Sequence, residues 1–248
     1  MIHYKFLWQL EGLLFERSDQ LTAARSDKIP IEKIIRDSFT LHHPHGNSVF
    51  SRNATDLPVP AIIKGGPENI EHGENLAFVD SSEGIAERGL KNFIIGYTVN
   101  TGTPIFICDN HNYVLEAWQL LQGQQPTLIH IDQHRDNAPA LHDETLYHTR
   151  ICDYIDFAII HKWIAEKFIS IIESADLKQL SDIPIQNKIC NVDLDIFAPE
   201  CTVLSLEDKV NVITAAADNC SLITMATSPG FIAQPRAIEI ARLLWKYL

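Results

Sequence analysis

Three short segments of the chain concentrate side chains that bind metal ions or move protons. PIFICDNHNYVLEAW, residues 104–118, is an apolar run followed at once by Asp109, Asn110 and His111. PTLIHIDQHRDNAP, residues 126–139, presents Asp132, His134 and Asp136 at i, i+2 and i+4. KICNVDLDIFAP, residues 188–199, presents Asp193 and Asp195 at i, i+2. In extended backbone, alternate residues point to the same side, so each segment offers its groups together. A lone histidine after a strand is usually a hydrogen-bonding residue, and an isolated Asp-x-Asp is usually a turn or cap. Asp-x-His-x-Asp resists that explanation, because three adjacent ionisable groups repel or lose hydration unless a cation compensates. Together His111, Asp132, His134, Asp136, Asp193 and Asp195 make six ligands. Carboxylate and imidazole without thiolate suit manganese or a similar divalent ion. Four aspartates are enough to bridge two such ions, and an ion pair about 3.5–4 Å apart can activate water and polarise a substrate.

Such groups need strands that end at one place. Short apolar runs rich in β-branched and aromatic residues predict strands at Asn75–Val79, Phe93–Thr98, Pro104–Cys108, Thr127–Ile131, Ile189–Val192 and Ser221–Met225. Helical spacing predicts helices at Tyr113–Leu121, Ile155–Glu173, Leu206–Asp218 and Pro235–Leu248. Continuous apolar strands alternating with helices indicate an α/β fold of three layers, α/β/α, on a mainly parallel sheet buried on both faces. Ligands then bind beyond the C-terminal ends of the strands, where the three segments end. The expected organisation is one domain over residues 1–248, with residues 1–75 an irregular N-terminal portion. That portion carries the turn signals HHPHGNS, DLPVP and KGGPEN, a helix predicted at Ile31–Ser38, and alternating Tyr4, Phe6 and Trp8 that suit an edge strand. The cluster His42, His43 and His45 lacks matching carboxylates and reads as a surface loop. SPG at 228–230 reads as a strand-to-turn transition in which Gly230 allows unusual dihedrals.

Composition narrows the function. The 248 residues carry 20 basic and 32 acidic side chains, a net charge of −12, which argues against nucleic acid as a partner. A hydrophobic content of 46% is ordinary for a globular chain. No apolar run approaches the ~20 residues that span a bilayer, and the N-terminus does not read as a signal peptide. The five cysteines are scattered without a CxxC, so a reducing, cytoplasmic setting is expected and each reads as a small buried hydrophobe. Nothing in the sequence fixes an oligomeric state.

The three motifs, in this order, resemble those of the ureohydrolases of the arginase/deacetylase superfamily. DNHN at 109–112 is similar to the family's Gly-Gly-Asp-His-Ser segment, DQHRD at 132–136 to its Asp-x-His-x-Asp, and DLDIFAP at 193–199 to its Asp-x-Asp with a nearby proline. The matched core runs from about residue 93 to 245. The resemblance implies that His111 serves one metal and His134 the other. It implies that Asp132 and Asp193 bridge, and that Asp136 and Asp195 complete the shells. It further implies hydrolysis of a guanidinium to urea and an amine, with Asp136 passing a proton to the leaving amine. A downstream histidine shuttles protons in the family, which points to His148, with His142 as the second choice. The chain departs from the family in lacking the double glycine and in carrying Asn110 where the family has Asp. Near Ala226 it also lacks the carboxylate that holds a guanidinium, and Asp109, Asp153 and Glu200 are the candidates for that role. The opening MIHYKFLWQLEG, the ICDNHNY and IHIDQHRDN segments and TSPGFIAQP resemble the peptide arginases, which convert peptidyl arginine to ornithine in maturing natural products. The resemblance therefore implies two manganese ions and an arginine-containing peptide. The rival readings are a small-molecule ureohydrolase, a deacetylase-like amidohydrolase and a non-catalytic peptide-binding module.

Overall fold

The structure is a computed structural model, and it describes residues 57, 59–80, 84–140 and 149–248. The apolar runs form strands where their composition directs. In chain order these are β1 (Ile62–Lys64), β2 (His72–Asp80), β3 (Ile85–Leu90), β4 (Phe93–Tyr97), β5 (Pro104–Cys108), β6 (Thr127–Ile131), β7 (Ile169–Ile171), β8 (Lys188–Asp193) and β9 (Leu222–Ala226). The α-helices are α1 (Leu115–Trp118), α2 (Tyr154–Ile160), α3 (Leu206–Ala217) and α4 (Gln234–Tyr247). Ser205 starts α3, its Oγ accepting from the Asp208 N–H at 3.0 Å, and Pro235 in the first turn of α4 costs no hydrogen bond there.

Seven strands form one sheet in the order β1-β4-β5-β9-β8-β6-β7. Strands β5, β9, β8, β6 and β7 are mutually parallel, so the sheet is mainly parallel as predicted. Their register sets the layers. Ile95, Phe106, Thr224, Asn191 and His130 are cross-strand neighbours and share one face. That face is covered by α1, through Trp118 to Thr224, and by α2, through Tyr154 to Asn191. The next residues along face the other way, where Cys190 meets α3 at the Ile213 carbonyl and Gly96 meets Trp245 of α4. Helices on both faces make the α/β/α sandwich. Every residue of β5, β8 and β9 is buried, which is why β5 is apolar throughout, and why Asn191 of β8 and Thr224 of β9 hydrogen-bond to each other at 2.7 Å.

One pairing in the sheet runs against the parallel majority, and two expectations need correction. Strand β4 runs antiparallel to β5, because residues 98–103 are far too few for a parallel crossover and close as a tight loop through Thr98 N–H to the Thr103 carbonyl, 2.9 Å, with Gly102 at φ 58°. Asn75–Val79 lies in β2, which pairs only with β3 in a separate two-stranded sheet. The helix predicted over Ile155–Glu173 stops at Ile160. Lys162 takes φ 59°, and Ile169–Ile171 returns as β7, a parallel strand beside β6. Within the N-terminal portion, β1 and the start of β2 are regular. The features expected at Tyr4, Phe6 and Trp8, at Ile31–Ser38 and at His42, His43 and His45, with the roles of His142 and His148, lie outside the described residues.

Ser228, at φ 44°, takes the left-handed conformation after β9, and Gly230 serves a different purpose from the one expected. A Cβ on Gly230 would lie 2.6 Å from the Phe78 ring, so the residue is small to let the turn approach β2. The cysteines are free thiols, as their scatter predicted; four are buried as expected, but Cys152 is partly exposed.

Candidate metal centre

The centre is assembled at the C-terminal ends of β5, β6 and β8. After β5, extended backbone at Asn110 (φ −114°, ψ 147°), whose side-chain amide donates to the Ala77 carbonyl at 3.0 Å, delivers His111 to the start of a short 3-10 turn. The Tyr154 ring stacks on His111 at 5.1 Å and 11°. After β6, Asp132 Oδ1 accepts from the His134 N–H at 2.6 Å, and Asp136 sits at φ 48°, a left-handed conformation that aspartate tolerates better than most residues. After β8, Asp193 Oδ1 accepts from the Asp195 N–H at 3.1 Å and starts a second 3-10 turn.

These turns bring all six predicted residues together. His111 Nδ1 lies 2.5 Å from Asp193 Oδ2 and 3.5 Å from Asp132 Oδ2, and His111 Nε2 lies 3.2 Å from Asp136 Oδ2. His134 Nδ1 lies 2.9 Å from Asp195 Oδ2 and 3.4 Å from Asp132 Oδ1. Three overlapping ligand groups result, His111–Asp132–Asp193, His130–Asp132–Asp136 and Asp132–His134–Asp195, and Asp132 belongs to all of them. Asp132, Asp193 and Asp195 are fully buried, and His111 nearly so. Five atoms aimed into the cluster, His111 Nδ1 and one Oδ2 each of Asp132, Asp136, Asp193 and Asp195, are buried without a hydrogen bond. Orphaned acceptors at this density are what a cation would satisfy, and the donor set is that of a hard to borderline divalent ion.

The titration of the cluster shows the same deficit of positive charge. Burial raises Asp136 to about 8 and lifts Asp195 well above the usual carboxylate range, with neighbouring Asp132 and Asp193 adding to both. The carboxylates of Asp132 and Asp195 beside its ring raise His134 to about 10. Burial opposes charge on His111, but Asp136, Asp193 and Asp132 lift it well above an ordinary histidine. Burial also opposes charge on Asp132, yet His130, His111 and His134 hold it well below the usual range. Protons and imidazolium stand in for bound cations.

His130 escaped the sequence reading. It shares the alternating spacing of Asp132, His134 and Asp136, so the signal was present in an imidazole placed inside an apolar strand. It is fully buried, with Nε2 3.1 Å from the His134 carbonyl and 3.4 Å from Asp132 Oδ2. A carbonyl can only accept, so Nε2 carries the proton and Nδ1 accepts from Asn191 Nδ2 at 3.2 Å. Asn191 Oδ1 accepts in turn from Thr224 Oγ1 at 2.7 Å, and its amide donates to Tyr154 OH at 3.0 Å. The chain of contacts fixes the main chain of the Asp-x-His-x-Asp turn from behind. His130→Phe is expected to cost about 1–3 kcal/mol in urea unfolding, since partners are left unpaired. It is also expected to weaken metal binding about 10–100-fold by titration calorimetry, as losses behind a ligand shell do.

The substrate candidates fall in different places. Asp109 is buried, and its Oδ1 accepts from the Leu90 N–H at 2.6 Å, Gln234 Nε2 at 3.4 Å and Thr227 Oγ1 at 3.5 Å, joining β3, β5 and α4; burial raises it to about 7. A Cβ on Gly89 would collide with this carboxylate, so Gly89→Ala is expected to destabilise the fold by about 1–3 kcal/mol in denaturant unfolding, as overpacking does. Asp153 is buried and already holds a guanidinium of its own chain, accepting from Arg150 Nε at 2.6 Å. Glu200 is exposed beyond the second 3-10 turn. Ala226 lies between Cys108 and Asp193 in register, and no carboxylate projects from that position.

No family model matches the chain, and no curated protein matches it. Among solved structures it is similar to proclavaminate amidino hydrolase from Streptomyces clavuligerus, at 19% identity and a TM-score of 0.41, over 58% of this chain and 63% of that one.

Proposed function

We propose that the chain is a ureohydrolase with two divalent ions, manganese by preference, that converts arginine side chains of a peptide to ornithine and releases urea. The observation that carries this reading is the convergence of His111, Asp132, His134, Asp136, Asp193 and Asp195 at three strand ends, with Asp132 common to every ligand group. His111, Asp132, Asp136 and Asp193 would hold one ion, and Asp132, His134, Asp193 and Asp195 the other. When bound, the ions supply a water nucleophile at neutral pH and polarise the group under attack. The protein's part is to place the guanidinium carbon beside the cluster and to handle protons. Asp136, its Oδ2 3.2 Å from His111 Nε2 at the edge of the cluster, is the group proposed to pass a proton to the leaving amine. His148 is proposed to carry protons to and from that site.

A peptide rather than a free amino acid is favoured by the exposure of the ligands. The His134 side chain is 39% exposed, whereas His111 is 3% and Asp132 and Asp195 are 0%. A centre open on one side suits a side chain presented by a longer molecule. The resemblance of the IHIDQHRDN and TSPGFIAQP segments to the peptide arginases supports the same reading.

The test is mass spectrometry after incubation with manganese and arginine-containing peptides, with free arginine and agmatine alongside. The expected result is a loss equal to one cyanamide unit per arginine in the peptides only. The same loss confined to the free compounds would move the substrate to small molecules. No loss in any of them would overturn the reaction.

A further inference from the structure

The ligand exposures define where a substrate enters. The way in lies on the His134 side, and the ring that stands there is Phe231, 5.2 Å from the His134 ring and tilted by 59°. Phe231 is also held edge-on to Phe78 of β2 at 5.6 Å. Beyond it lies a groove of about 570 Å³. One wall is the turn from Pro229 to Pro235, and the other is Ala86, Glu87 and Arg88 of β3 with His72 of β2. This volume exceeds what one arginine side chain fills and sits within the roughly 300–1,000 Å³ that holds larger ligands.

Three features indicate the occupant. The groove adjoins the open ligand of the metal centre, so a chain lying in it can present a side chain past Phe231. Its β3 wall is lined by three consecutive residues, as a strand edge would be, and among the described residues β3 pairs only with β2. An edge with free N–H and C=O groups accepts an extended peptide by main-chain hydrogen bonding. The wall also has an electrostatic preference. Arg88 is neutralised by Glu74 at 2.6 Å, and Glu87 is exposed and forms no ion pair among the described residues. Glu87 is therefore the carboxylate on this wall left to meet a cation, in a chain of net charge −12.

We propose that this groove binds the backbone of the arginine-containing peptide flanking the reacting residue. In this arrangement β3 offers its edge, Glu87 selects a cationic flank and Phe231 separates the groove from the metal centre. The proposal rests on the reaction given above, and the experiment separates the two. A benzophenone side chain is placed at the exposed Ala86 position in the full, manganese-loaded chain and irradiated with a labelled arginine-containing peptide, while urea release is followed in parallel. A peptide adduct that excess unlabelled peptide removes, and that Glu87→Lys lowers at least fivefold, is the expected result. Urea release without any adduct at this position would overturn the groove and leave the reaction standing. An adduct without urea release would support the groove and remove the reaction. An adduct only with the chain itself, or one that unlabelled peptide does not reduce, would overturn the groove.

Discussion

Asp132→Asn is expected to lower arginine conversion by about a thousandfold or more, because each factor of ten requires about 1.4 kcal/mol and two bound ions supply several kcal/mol to the transition state. Asp132 belongs to every ligand group of the cluster. Its Oδ2 faces His111 Nδ1 at 3.5 Å and its Oδ1 faces His134 Nδ1 at 3.4 Å. The amide keeps the size of the side chain and one acceptor, which can still receive the His134 N–H. It loses the negative charge and one of the two ligand oxygens, so one substitution weakens both sites together. Metal content measured by plasma mass spectrometry should fall from two ions per chain to fewer than one, with the circular dichroism of the fold retained. Two bound ions and full activity in this variant would sink the assignment. A substitution at Asp195, which belongs to one group alone, should spare the second ion, and that contrast tests the sharing itself.

Much of the centre was legible because its signal is local. Asp132, His134 and Asp136 are neighbours in sequence, and alternation alone puts them on one side of an extended segment. The parallel core was legible for the same reason, since a strand buried on both faces is a mainly apolar run without alternation, as PIFIC of β5 and LITMA of β9 are. What escaped depends on partners distant in sequence. His130 gains meaning only from Asn191 and Tyr154, brought beside it by β8 and α2. Asp109 reads as a candidate for substrate contact until Leu90, Thr227 and Gln234 are seen around it. The segment after Ile160 fits helical spacing about as well as strand alternation, and what decides it is the free edge of β6 that Ile169–Ile171 fills. The antiparallel turn between β4 and β5 was within reach, because connection length alone excludes a crossover.

Metal removal is expected to destabilise the protein, and by more as the pH rises. At a concentration about one hundred times the dissociation constant, each ion adds about 2.7 kcal/mol, so two add about 5 kcal/mol. For a chain of this size that corresponds to a fall of about 10–20 °C in melting temperature on chelation. The pH dependence follows from the metal-free cluster. His134 is raised from its ordinary value to about 10 and Asp136 to about 8. Both folded-state values lie above the unfolded ones, so between them the native protein holds protons that the unfolded chain has released. The Asp136 contribution is intact in acid and is lost from about pH 4 to 8. The His134 contribution is complete below about pH 6.5 and is lost as pH rises through about 10. Stability of the metal-free protein should therefore decline from pH 6 to 9. In the loaded protein, ions replace those protons and neutralise the carboxylates at every pH in that range, so its melting temperature should stay nearly level. Scanning calorimetry with manganese and with chelator at pH 6, 7.5 and 9 measures the gap. A gap that narrows with rising pH would mean that the cluster is satisfied without a cation, and the metal centre would fall with it.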